Sequence, residues 1–186
     1  MKEPKHILNI LNQTKAAVKK EDTIKLKELS NQTMHSASIQ QDTDSIMIAV
    51  ILYSLSKMLE RTGYHSNKEW KPFLKNLMRH IDNSIHALKH NKQKKLSSEL
   101  GKITQEISSL SGDFKKSIRD VFKKAKINKA SRIYEHGLSM EKTAKLLGVS
   151  IWDLAEYTGQ TGVSDVNLNV TMPIKKRIKI AEEIFR

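Results

Sequence analysis

Ile46-Met47-Ile48-Ala49-Val50-Ile51-Leu52-Tyr53-Ser54-Leu55-Ser56-Lys57-Met58-Leu59 is the stretch on which the fold turns. Wound at 3.6 residues per turn, it presents apolar groups on nearly every side instead of along one stripe, the pattern of a helix enclosed by others. The unbroken apolar run from Ile46 to Tyr53 is eight residues and remains short when extended to Leu59. Crossing a bilayer takes about 20, so the expectation is a central core helix and no membrane partner. Asp42 or Asp44 is placed to cap it.

An enclosed helix needs neighbours, and the flanking sequence supplies them. Ile7, Ile10, Leu11, Thr14 and Val18 recur at helical spacing and predict an amphipathic helix over 4–19. Asp22 or Thr23 caps a second, with Leu26, Leu29 and Thr33 on its apolar side, ending near His35. Gly63 stops the central helix. Trp70, Phe73, Leu74, Leu77, Ile81, Ile85 and Leu88 then mark a fourth helix over 67–90, with Pro72 tolerable in its first turns. Leu96, Leu100, Ile103, Ile107 and Leu110 alternate in steps of four and three. Phe114, Ile118, Val121 and Ala125 resume that seam beyond Ser111 and Gly112. Such a seam fits an antiparallel hairpin within the chain or a homodimer, and the expectation leans to the dimer.

Composition agrees with an all-α chain. The 186 residues are 38% hydrophobic and 28% charged, with only 7 glycines and 3 prolines, too few for a turn-rich β fold or a glycine-loop nucleotide enzyme. The absence of cysteine excludes disulfides, thiolate nucleophiles, iron–sulfur clusters and cysteine-ligated zinc, and no secretory signal is visible, so a cytoplasmic location is expected. The net charge of +13 is unevenly placed: residues 1–60 carry 8 basic and 7 acidic groups, 61–130 carry 17 and 6, and 131–186 carry 8 and 7. A middle third with an excess of 11 positive charges can hold a polyanion, and nucleic acid is the first candidate.

The carboxyl-terminal third divides into short helices. Ile127, Ala130, Ile133 and Tyr134 form an apolar face, Ser139 caps a helix from Met140 to Leu147, and Gly148 ends it. Ser150, followed by Asp153 three residues on, starts another helix over 151–158. Ala144, Leu147, Gly148, Val149, Ser150, Trp152 and Leu154 resemble the helix-turn-helix segment of prokaryotic transcription regulators. The phrase Leu138-Ser139-Met140-Glu141-Lys142-Thr143-Ala144-Lys145-Leu146-Leu147-Gly148-Val149-Ser150 is also similar to small archaeal and bacterial antitoxin-like proteins. The resemblance covers 127–162 and implies a recognition helix over 151–158, with Ser150, Ile151 and Trp152 nearest the major groove. That helix departs from a base reader: it holds Asp153 and Glu156 but no Arg, Lys, Asn or Gln for purine edges. Gln160, Thr161, Lys142 and Lys145 offer polar or phosphate contacts from its flanks. Residues 163–171 alternate apolar and polar groups and predict a short strand or an extended connector, and Pro173 opens a last helix bearing Lys175, Lys176 and Arg177.

The expected organisation is therefore a helical bundle over 1–90, a basic amphipathic stretch over 91–126 and a helix-turn-helix-like module over 127–186. The expected function is non-enzymatic DNA binding. Lys92, Lys94, Lys95, Lys115, Lys116, Lys123, Lys124, Lys126 and Lys129 would meet phosphates while the module docks. A protein adaptor using Trp152, Tyr157 and the strand-like segment, and a binder of structured RNA or the ribosome, are the alternatives. No catalytic residue, cofactor or metal site is expected. Asp82, His86 and His90 stand four apart on one helix face but lack a fourth ligand. His35, Ser36 and Asp42 have no strained nucleophile elbow, and no phosphate-binding glycine loop occurs.

Overall fold

The computed structural model describes residues 3–40, 42–110, 112–135 and 138–161. Within them the chain is all-α: α1 (Pro4–Lys19), α2 (Thr23–Gln40), α3 (Thr43–Leu59), α4 (Trp70–Lys89), α5 (Gln93–Ser109), α6 (Gly112–Glu135), α7 (Met140–Leu147) and α8 (Ile151–Thr161), with a 3₁₀ turn at Thr62–Tyr64. The strand expected over 163–171 and the last helix with Lys175, Lys176 and Arg177 lie outside the described residues.

The Ile46–Leu59 stretch becomes α3 and occupies the centre, packed against α1, α2, α5, α6 and α7. Ile46, Ile48, Ala49, Val50, Ile51, Leu52, Leu55, Met58 and Leu59 are all buried. Its serines bury without penalty because each hydroxyl is satisfied: Ser54 donates to the Val50 carbonyl at 2.8 Å and Ser45 to the Asp42 carboxylate at 2.7 Å. Ser30 of α2 donates across the helix contact to the Ala49 carbonyl at 2.7 Å. No described helix is long and apolar enough to cross a membrane.

Helix α2 runs five residues beyond the expected end near His35. Met34 and Ala37 continue the face begun by Leu26 and Leu29, all of them buried, and this packing outweighs the weak helix preference of the intervening polar groups. Its start is as expected: the Lys25 amide donates to the Asp22 carboxylate at 2.8 Å.

The seam is split between α5 and α6 and covered within the single chain. Leu96, Leu100, Ile103, Leu110, Phe114, Ile118, Val121 and Ala125 are all buried, α5 lying along α4 and α6 along α3. The preference for a dimer therefore loses its basis, because one copy already buries the stripe. One core runs from Ile7 to Leu154. The boundary expected between 126 and 127 falls inside α6, where Ala125, Ile127, Ala130 and Ile133 stay buried with no glycine or proline to interrupt the helix.

Candidate nucleic-acid interface

Helix α6 carries a row of cations along one flank. Lys115, Arg119, Lys123 and Lys126 recur at intervals of four, four and three, and Lys116 stands seven before Lys123, so the five share one face of the helix. The row extends about 16 Å along the axis. Arg119, Lys116 and Lys123 are exposed, and Lys115 and Lys126 are half-buried. Arg119 was absent from the sequence expectation, although its place four residues from both Lys115 and Lys123 marks it.

The α7–α8 pair sits at the carboxyl-terminal end of this row. Ser139 caps α7 by accepting from the Lys142 amide at 3.3 Å, and Gly148 closes it at φ +60 in the left-handed region that favours glycine. Ser150 then caps α8, accepting from the Asp153 amide at 2.9 Å. Leu154 and Thr158 are buried, and Asn128 of α6 donates to the Tyr157 hydroxyl at 3.0 Å. The Asp153 carboxylate bonds its own Ser150 cap and also reaches α6, 3.0 Å from Lys123 Nζ. That ammonium, with Ser150 assisting, holds the Asp153 carboxyl below the ordinary carboxylate range. One of the two acidic groups that oppose phosphate on this helix is thereby neutralised.

The opposite side of α8 is open. Trp152 is 83% exposed and Ile151 44%, with Glu156, Gly159 and Gln160 beside them. Gln160 gives one donor to Glu156 at 3.2 Å, and this face carries no Arg, Lys or Asn for bidentate contact with a purine edge. Lys142 and Lys145 are exposed on α7. Thr161 ends α8, and its side chain lies outside the described part of the chain.

The remaining expected phosphate ligands separate. Lys124 lies off the row, paired with Asp120 at 3.0 Å. Lys92, Lys94 and Lys95 are exposed at the start of α5, where Gln93 and Ser97 bond Asp44 at the beginning of α3. Phe114, near the start of α6, instead packs edge-on against Tyr64 beyond the other end of α3, with ring centroids 5.6 Å apart. The start of the α6 row and the α5 lysines therefore stand at opposite ends of a 17-residue helix, about 25 Å in length.

Lys129 is a correction. It is 1% exposed, donating to the Asn31 side-chain oxygen at 2.9 Å with its ammonium 4.4 Å from the centre of the Tyr53 ring. Burial, with Arg132 nearby, draws its pKa down to about 8. It cannot meet a phosphate. Position 129 lies four, seven and eleven residues after the buried Ala125, Phe122 and Ile118, so helical periodicity puts it on the apolar face.

Sequence reasoning also missed a buried polar cluster between α4 and α5. Glu99 accepts from Lys102 at 2.6 Å and from Asn83 at 3.0 Å, and His80 Nδ1 lies 2.8 Å from the same carboxylate. Burial pushes the Glu99 carboxyl up, but these hydrogen bonds outweigh it and set the pKa at about 2. The Asp82–His86–His90 row binds no such cluster: Asp82 pairs with Lys15, and His90 bonds the His86 carbonyl at 2.8 Å. No group of three or more His, Asp or Glu is arranged for a metal among the described residues. Ser36 bonds Glu3. Comparisons with protein-family models, curated proteins and solved structures returned no match.

Proposed function

We propose that this chain is a non-enzymatic DNA-binding protein in which the α6 row engages backbone phosphates and the α7–α8 pair docks beside it. The observation that carries this reading is the Lys123–Asp153 contact, which joins the exposed cations of α6 to the open end of α8. With no Arg, Lys or Asn on that end to pair with purine edges, recognition is electrostatic and follows the shape of the backbone. Lys142 and Lys145 extend the positive surface, whereas Lys129 has no part in it.

Binding of a mixed-sequence duplex measured at several salt concentrations tests this. Four to five phosphate contacts predict a slope of about −4 in log affinity against log salt, and a flat response would reject it. The exposure of Ile151 and Trp152 favours a second reading, a helical adaptor that docks a protein on this apolar pair. It takes precedence if neither duplex DNA nor double-stranded RNA binds at low salt and a stoichiometric protein partner does.

A further inference from the structure

We infer that Trp152 is a stacking platform for an unpaired base, so that the preferred ligand of this interface is DNA with a single-stranded segment; this rests on the DNA-binding reading above. Trp152 is the most exposed large apolar side chain among the described residues, at 83%, while Trp70 is 4% exposed in the core. A surface indole exposed to this degree is an available flat ring. The helix that carries it is anchored. Trp152 occupies the second position of α8, and that helix is fixed by the Ser150 cap, by Asp153 on Lys123, by Tyr157 on Asn128 and by the buried Leu154.

Its surroundings select the ligand. One residue away, Asp153 ties α8 to the α6 cations, so a strand whose phosphates follow that row passes the indole. The open face of α8 carries no Arg, Lys or Asn, and its Gln160 is bonded to Glu156, so it is poorly equipped for direct readout of an intact duplex. In a duplex the faces of the bases are already stacked. In a single strand each base offers a face, and aromatic stacking is indifferent to which base it is, matching a site with a ring and cations but no edge readers. Ile151 extends the apolar contact. Ile24, nearly as exposed at 79%, has no comparable row of cations tied to its helix and is a solitary surface group.

The test uses the full chain with oligothymidylate and a mixed-sequence duplex at low salt. It reads affinity together with tryptophan emission, in the wild type, W152A and W152F. Because Trp70 is buried, W152F removes the solvent-exposed emitter and identifies the signal. Oligothymidylate is expected to quench the Trp152 emission. W152A is expected to weaken its binding by about tenfold or more, with W152F between the two and a smaller loss for the duplex. Replacing Lys115, Lys116, Arg119 and Lys126 by alanine is expected to weaken both ligands. Salt-dependent binding of oligothymidylate without quenching, or unaltered by W152A, overturns the stacking inference and leaves DNA binding standing. Failure of acrylamide to reach Trp152 in the free protein overturns it as well. Failure of both nucleic acids to bind overturns the DNA reading itself and the inference with it.

Discussion

Replacing Lys129 by methionine removes an ammonium that the fold holds at 1% exposure, keeping a flexible chain of similar length in its place. The folded pKa of about 8 lies below the ordinary 10.5. Between those values the unfolded chain binds more protons than the folded one, so stability rises with pH across the window from about 8 to 10.5. The gap of about 2.5 corresponds to roughly 3 kcal/mol, at about 1.36 kcal/mol for each pH unit. Lys129→Met forfeits the bond to Asn31 and the contact with the Tyr53 ring, so its expected gain at pH 7 is about 1–3 kcal/mol. Urea unfolding of both proteins from pH 7 to 10.5 measures this. The variant is expected to be the more stable at pH 7, with the difference closing as the wild-type lysine loses its proton. Duplex affinity at pH 7 is expected to be unchanged within about twofold, since Lys129 lies outside the interface. Parallel stability curves, or a variant less stable at neutral pH, would refute the placement of a strained, buried ammonium at this position.

Other perturbations probe the frame and the interface. Glu99→Gln is expected to lose about 2 kcal/mol at pH 7, allowing for solvent around Lys102. Because the folded pKa is depressed, the wild-type advantage is complete above about 4.5 and vanishes as pH falls to about 2, which acid titration of unfolding checks. Gly148→Ala meets no atom within 4 Å, so its expected cost of about 1 kcal/mol comes from the left-handed backbone alone and is read as a lower Tm. Asp153→Asn releases Lys123 and deletes a surface carboxylate, and is expected to tighten duplex binding several-fold at low salt, with the gain disappearing at high salt.

Periodicity made the buried faces legible. The all-round pattern of Ile46–Leu59 put α3 at the centre, and the capping roles of Ser139, Gly148 and Ser150 were readable from residue type and spacing. What covers a face is a tertiary matter. The Leu96–Ala125 seam carries the same signal whether α4 and α3 or a second copy lies against it, and here it is the chain's own helices. Charge counting placed the positive excess correctly but treated the lysines as one set. Their separation depends on α5 and α6 starting at opposite ends of α3, and on which side of α6 packs inward, which buries Lys129. The pairing of Asp153 with Lys123 joins positions 30 residues apart and leaves no local mark, so the acidic character of α8 looked more opposed to phosphate than the folded surface is.

The most direct measurement of the central claim compares the salt dependence of duplex binding for three proteins: the wild type, a variant with Lys115, Lys116, Arg119 and Lys126 changed to alanine, and a variant with Lys92, Lys94 and Lys95 changed to alanine. If the α6 row holds the phosphates, the first variant flattens the log–log slope by about 0.9 for each phosphate it no longer neutralises, while the second leaves it near the wild-type value. Equal slopes for the wild type and the α6 variant, or a flattening confined to the α5 variant, would contradict the assignment of the interface to α6.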